Sequence, residues 1–143
     1  MLHTIAEILP QQTKSIITRL PGSIAQQLEE IRIRELRPME IVYGGNYAFV
    51  TAEGLTVKDP KQAYSATKDE CLKLLDLLTN HSVYTLEEEL RQGFITIRGG
   101  HRVGLAGRTV TEGGKVKLLR EISSFNIRIA RPVAGCGTSV LPL

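Results

Sequence analysis

The chain has 143 residues, 42% hydrophobic and 23% charged, which fits one globular domain that buries roughly 68–70% of its unfolded surface. Apolar runs span only a few residues and no charged-then-apolar leader opens the sequence, so neither a bilayer-spanning helix nor a secretory signal is predicted and a cytoplasmic location is expected. The net charge of +3 is unevenly spread: residues 1–90 carry nine Lys/Arg against thirteen Asp/Glu, whereas residues 91–143 carry nine against two. A basic half of this kind predicts an anionic partner, whether phosphate, nucleic acid or an acidic protein face. The two cysteines, Cys71 and Cys136, sit in no CxxC and beside no histidine cluster. They are expected as reduced thiols, with no disulfide framework and no metal site.

The first 28 residues read as short helices near 4–9, 11–20 and 22–29, punctuated by Leu9-Pro10 and Leu20-Pro21, because proline disfavours helical geometry in the residue before it. The period then changes. Ile31-Arg32-Ile33-Arg34 alternates apolar and charged residues, the pattern of a strand with one buried face. Strands at 40–43 and 47–51 flank Gly44-Gly45-Asn46, a hairpin turn. Residues 52–66 are looser. Two helices follow, each opened by a capping box: Thr67 with Glu70, and Thr85 with Glu88. Leu72, Leu74, Leu75 and Leu78 supply the apolar stripe of the first, and Gly93 closes the second. From Phe94 onward strands are expected at about 94–98, 101–110, 115–122 and 124–130. The order predicts an α+β fold in which a largely antiparallel sheet carries helices on one side. Residues 1–132 read as one domain, and 133–143, small and barely charged, as a linker.

The stretch 93–108, GFITIRGGHRVGLAGR, invites a phosphate-loop reading and does not sustain it. A P-loop needs GxxxxGK[ST] between strand and helix, so that backbone N–H groups and the lysine hold the phosphates; no Gly-Lys-Ser or Gly-Lys-Thr occurs in the chain, and no GxGxxG. Gly99-Gly100 instead reads as a tight turn, and Gly104 and Gly107 as strand glycines that permit a bulge or close backbone approach. If Gly113-Gly114 is a two-residue turn, Val103 and Leu105 share a face with Arg120, while Arg102 and Arg108 lie on the other. A three-residue turn with a bulge would bring all three arginines together, but apolar matching favours the first register, which separates Arg102 from Arg120. His101 reads as a turn residue, the 87–89 glutamates as a solvated helix face, and no catalytic constellation is found.

Three segments carry a resemblance: LEEIRIRELRPMEI (28–41), HSVYTLEEELRQGFITIRGGHRVGLAGR (81–108) and ISSFNIRIAR (122–131). They resemble the stage III sporulation protein AA family of endospore-forming bacteria, related to the type II and type IV secretion ATPases. The resemblance implies a PAS-like N-terminal domain, with the 133–143 linker leading to a C-terminal P-loop ATPase domain where ATP and Mg are bound. It implies a cytoplasmic mother-cell protein, hexameric at full length, that energises the channel between mother cell and forespore. Its partners would be the ATPase domain of the same or a neighbouring subunit and the channel's membrane proteins. In that family of machines the N-terminal domain supplies arginines to nucleotide, and the matching positions are Arg102 and Arg120, with Arg108 in reserve; an arginine suits the task by its permanent charge and planar fork. The rival reading is a nucleic-acid module on the basic sheet, against which only Phe94 and Phe125 interleave with the charges, few for base stacking.

Overall fold

The computed structural model describes residues 2–81, 86–107, 111–112, 115–116 and 122–130. Three short helices open it: α1 (Leu2–Ala6), α2 (Gln11–Thr18) and α3 (Gly22–Ala25). Pro10 and Pro21 stand one residue before α2 and α3, as the Leu-Pro steps predict. The third helix is shorter than expected. Residue 28 already belongs to β1 (Leu28–Arg34), because a bulge between Leu28 and Glu30 lets Leu28 point into the core alongside Ile31 and Ile33.

β2 (Glu40–Tyr43) and β3 (Asn46–Val50) form the expected hairpin, with Gly44 and Gly45 at φ of 51° and 81°. β4 (Thr56–Val57) and a single 3-10 turn cross the looser stretch. Helix α4 (Lys68–His81) buries Cys71, Leu74, Leu75 and Leu78, while Leu72, expected in the same stripe, is half exposed because it lies on the helix flank away from the core; helix α5 (Leu86–Gln92) ends at Gly93, whose φ is 84°. β5 (Phe94–Thr96), β6 (Arg102–Gly107), the small hairpin of β7 (Thr111–Glu112) with β8 (Lys115–Val116), and β9 (Ile122–Arg128) complete the order.

Seven strands make one sheet in the order β4-β3-β2-β1-β9-β6-β5, with every neighbouring pair antiparallel. The α+β expectation therefore holds. One face of this sheet, through Ile31, Ile33, Ile41, Ile95, Val103, Phe125 and Ile127, joins Ile5, Ile16, Ile17, Leu74 and Leu78 of the helices in a single core.

The expected strand partners differ in one respect. Strands 101–110 and 115–122 are expected as sequential neighbours; among the described residues β6 meets only Ile122 of that span and otherwise pairs with 124–128 of β9, and β7 pairs with β8 in a two-stranded sheet. The register Thr111↔Val116 and Glu112↔Lys115 leaves two residues between these strands. At Ala106/Gly107 the β6–β9 register shifts, so Val103 faces Ile127 and Leu105 faces Phe125. A strand bends most easily at a glycine bulge, and the shift falls at Gly107.

Three buried polar groups bind the layers together. Glu70 accepts from Thr67 N–H at 3.1 Å while its own N–H donates to Thr67 Oγ1 at 3.2 Å, the reciprocal capping box of α4. The same carboxylate accepts from Thr13 Oγ1 of α2 at 3.3 Å and from the Tyr64 hydroxyl. Burial, with that hydrogen bond behind it, pushes the Tyr64 pKa well up. Burial likewise pushes the Cys71 thiol up to about 11, which keeps it inert.

Glu89 is also buried, at 1% exposure, so the helix face expected to be solvated is not uniformly so. Both its oxygens lie 3.2 Å from Thr96 N–H, which points outward from the edge strand β5, and α5 thereby closes that edge.

His101 is the third, at 1% exposure. Ala130 N–H donates to its Nδ1 at 2.9 Å, so Nε2 carries the neutral ring's proton and donates to Thr4 Oγ1 at 2.9 Å. The ring is a strut between α1 and the end of β9 rather than a simple turn residue. Gly99 makes room for it: φ is 96°, and an added Cβ would stand 2.9 Å from Nε2.

Two outcomes follow from these groups. Glu70→Ala removes the carboxylate half of the capping box and leaves the hydroxyls of Thr13, Tyr64 and Thr67 without their acceptor, so urea unfolding should show a loss of about 2–4 kcal/mol, with Glu70→Gln losing less. Burial holds the His101 pKa below its ordinary 6.5. The unfolded chain therefore takes up the proton first, so this contribution to stability is complete above about pH 6.5 and falls away as pH drops below it. His101→Gln should flatten unfolding free energy against pH below about 6.5; an unchanged slope would contradict the neutral assignment.

Candidate functional site

Strand alternation that sends isoleucines into the core sends charge to the opposite face. On β1 these outward residues are Glu30, Arg32 and Arg34. Opposite them on β9 lie Arg128, Asn126 and Ser124, and opposite Arg32 on β2 lies Glu40. The next strand, β6, sets Arg102, Gly104 and Ala106 against Arg128, Asn126 and Ser124, and β5 adds Thr96 and Phe94. The open face is thus a lattice of arginines and glutamates around a floor of small residues.

Its inner part is a chain of ion pairs. Arg34 Nη2 donates to Glu40 at 2.9 Å, Arg32 Nη1 donates to Glu40 at 3.2 Å, and Arg32 Nε donates to Glu30 at 2.6 Å. Arg128 Nε stands 3.6 Å from Glu30. The Glu30 hydrogen bond raises the Arg32 pKa further above an already high value. With arginine side chains about 40% exposed, each pair contributes well under about 1 kcal/mol, so the chain of pairs orients guanidinium groups more than it stabilises the fold.

Arg102 differs from these. It is exposed, its guanidinium carbon lies 5.0 Å from the centre of the Phe94 ring, and no acid among the described residues pairs with it. A cation over an aromatic face is held in place without being neutralised. Directly across the strands stands Arg128, and like charges in that position repel. A cleft of about 460 Å³ opens beside Arg102, lined by Glu88, Gln92, Phe94, Thr96 and Gly100 among others.

Of the three sequence-proposed arginines, Arg102 takes this exposed place. Arg108 and Arg120 lie outside the described residues, as do Thr85 of the second capping box, the Gly113-Gly114 turn and the 133–143 linker. Sequence reasoning missed Arg128 as the cross-strand neighbour of Arg102, because it took the strand beside β6 to be 115–122. The alternation Phe125-Asn126-Ile127-Arg128 would have placed Arg128 outward once β9 was recognised as that partner. What the arrangement offers chemically is the exposed positive charge of Arg102 facing Arg128, at the edge of a cleft whose lining also includes Glu88 and Glu89.

Comparison with known proteins agrees with the resemblance in the three segments. The family described as "Sporulation stage III, protein AA" matches residues 2–143. The stage III sporulation protein AA of Bacillus subtilis (strain 168) is 44% identical over 141 residues, covering 99% of this chain and 42% of that protein's length. The chain therefore spans less than half of the curated relative it matches. No solved structure matches it. Among the described residues no helix is long and apolar enough to cross a membrane. With the family pattern running through both the core strands and the arginine-bearing face, this chain belongs to the sporulation stage III protein AA family.

Proposed function

We propose that the chain is the non-catalytic N-terminal domain of a longer secretion-type ATPase of sporulation, and that it lends Arg102 to nucleotide held by a C-terminal P-loop domain. The observation that carries this is the Arg102–Arg128 juxtaposition: two guanidinium groups on adjacent strands, one of them held only by an aromatic face. The arrangement costs a few tenths of a kcal/mol up to about 1 kcal/mol on its own. An anion delivered by another domain or subunit offsets that cost, and a phosphate matches the planar fork of an arginine.

Since no Gly-Lys-Ser or Gly-Lys-Thr occurs here, ATP and Mg are assigned to the C-terminal domain, of the same or a neighbouring subunit. In this reading the domains assemble in a ring, as a hexamer, on the cytoplasmic face of the mother cell, and the machine energises the channel to the forespore. Nucleic-acid binding is the weaker reading: Glu30 and Glu40 engage three of the arginines, and Arg102 already covers a face of Phe94.

In the full-length protein Arg102→Ala should lower ATP turnover by about 10³-fold or more, with nucleotide binding and assembly retained. The same variant should leave domain stability unchanged or slightly raised, since it removes a repulsion. Arg102→Lys should rescue poorly, a point charge lacking the fork. Turnover equal to that of the unaltered protein would reject the proposal.

A further inference from the structure

A second place on the open face is built for a ligand and is independent of Arg102 and of nucleotide. Between β1 and β9 lies a cleft of about 260 Å³ lined by Arg32, Arg34, Ser124, Phe125 and Asn126. Among the described residues, the buried side-chain polar atoms without a hydrogen-bond partner are Arg34 Nε and Asn126 Oδ1, both on residues that line this cleft. Buried polar groups are nearly always paired, so two orphans lining one cleft mark a place where another group completes the bonding. They are close by construction, since Arg34 faces Ser124 and Arg32 faces Asn126 across two paired strands.

Charge selects the class of group. Arg34, Glu40, Arg32, Glu30 and Arg128 alternate in sign along the chain of ion pairs, three cations against two anions, and leave one positive charge over. One carboxylate balances it. A polyphosphate, with several negative charges, would find most of the guanidinium groups already engaged by glutamates. The amide of Asn126 can turn by half a revolution, since its oxygen and nitrogen are nearly alike in shape. Its NH₂ and Arg34 Nε–H then both donate into the cleft, with the Ser124 hydroxyl beside them. Gly104, across from Asn126 on β6, leaves the approach low.

We propose that this cleft receives the carboxylate of an aspartate or glutamate on an acidic segment of a partner protein, held by Arg34 Nε, Asn126 and Ser124. The interaction surface is the outer face of β1 and β9, and the partner it fits is a segment with an acidic side chain that can reach a strand-lined trough.

The test uses the whole 143-residue chain, isotope-labelled, with the side-chain N–H signals of Arg34 and Asn126 followed by NMR. It is titrated in parallel with a capped glutamate tripeptide, the matching glutamine tripeptide and inorganic phosphate. The glutamate peptide should move both signals saturably, and added salt should weaken the effect. Asn126→Leu should weaken binding about tenfold, as expected for one hydrogen bond to a charged group. Arg34→Lys keeps the charge toward Glu40 but lacks Nε, and should also lose the binding while the rest of the spectrum stays folded. Signals that stay still, that move equally with the glutamine peptide, or that respond to phosphate at lower concentration than to the glutamate peptide would each overturn the proposal.

Discussion

The pairing of β1 with β9 is the constraint from which the rest of the structure follows. Residues almost a hundred positions apart are set side by side, Ile31 against Ile127 and Ile33 against Phe125, all of them buried. Because side chains alternate along a strand, seating those apolar residues against the helices leaves no freedom for their neighbours: Arg32, Arg34, Asn126 and Arg128 must face the other way. A slip of one residue in this pair would bury the arginines and expose the isoleucines. The core and the charged face are two consequences of one register.

That register also explains why charge on the open face is ordered rather than merely abundant. Cross-strand neighbours are close enough to interact, so acids and bases opposite one another settle into alternation through Arg34, Glu40, Arg32, Glu30 and Arg128. The alternation ends at β6, where Arg102 meets another arginine and rests on an aromatic ring instead of an acid. The sheet therefore grades from matched charge at β1 to unmatched charge at β6. Its two proposed ligand sites differ accordingly, a single carboxylate at the matched end and phosphate at the unmatched one.

Rigidity follows from the same layering. Arg102 lies on an inner strand flanked by β9 and β5, and the outward N–H of β5 is in turn closed by Glu89. Glu70 fastens α4 to α2, and His101 fastens α1 to the end of β9. In the proposed role, a charge offered to a ligand on another domain gains from such a mounting, since little ordering remains to be done at the encounter.

Local patterns in the sequence determined a good part of this. The Ile31-Arg32-Ile33-Arg34 alternation, the Thr67–Glu70 box, the turn at Gly44-Gly45 and the helix stop at Gly93 each depend on residues a few positions apart, and each appears in the structure. The three motif segments were enough to recognise the family. Tertiary structure alone decided that β6 lies beside β9, that Arg128 is the neighbour of Arg102, that Glu89 and His101 are buried, and that Arg34 and Asn126 share a cleft. The reason is physical. Capping, turns and alternation are set by local backbone geometry, whereas strand partners are chosen by burial summed over the whole chain, and a single glycine bulge at Ala106/Gly107 suffices to shift the register.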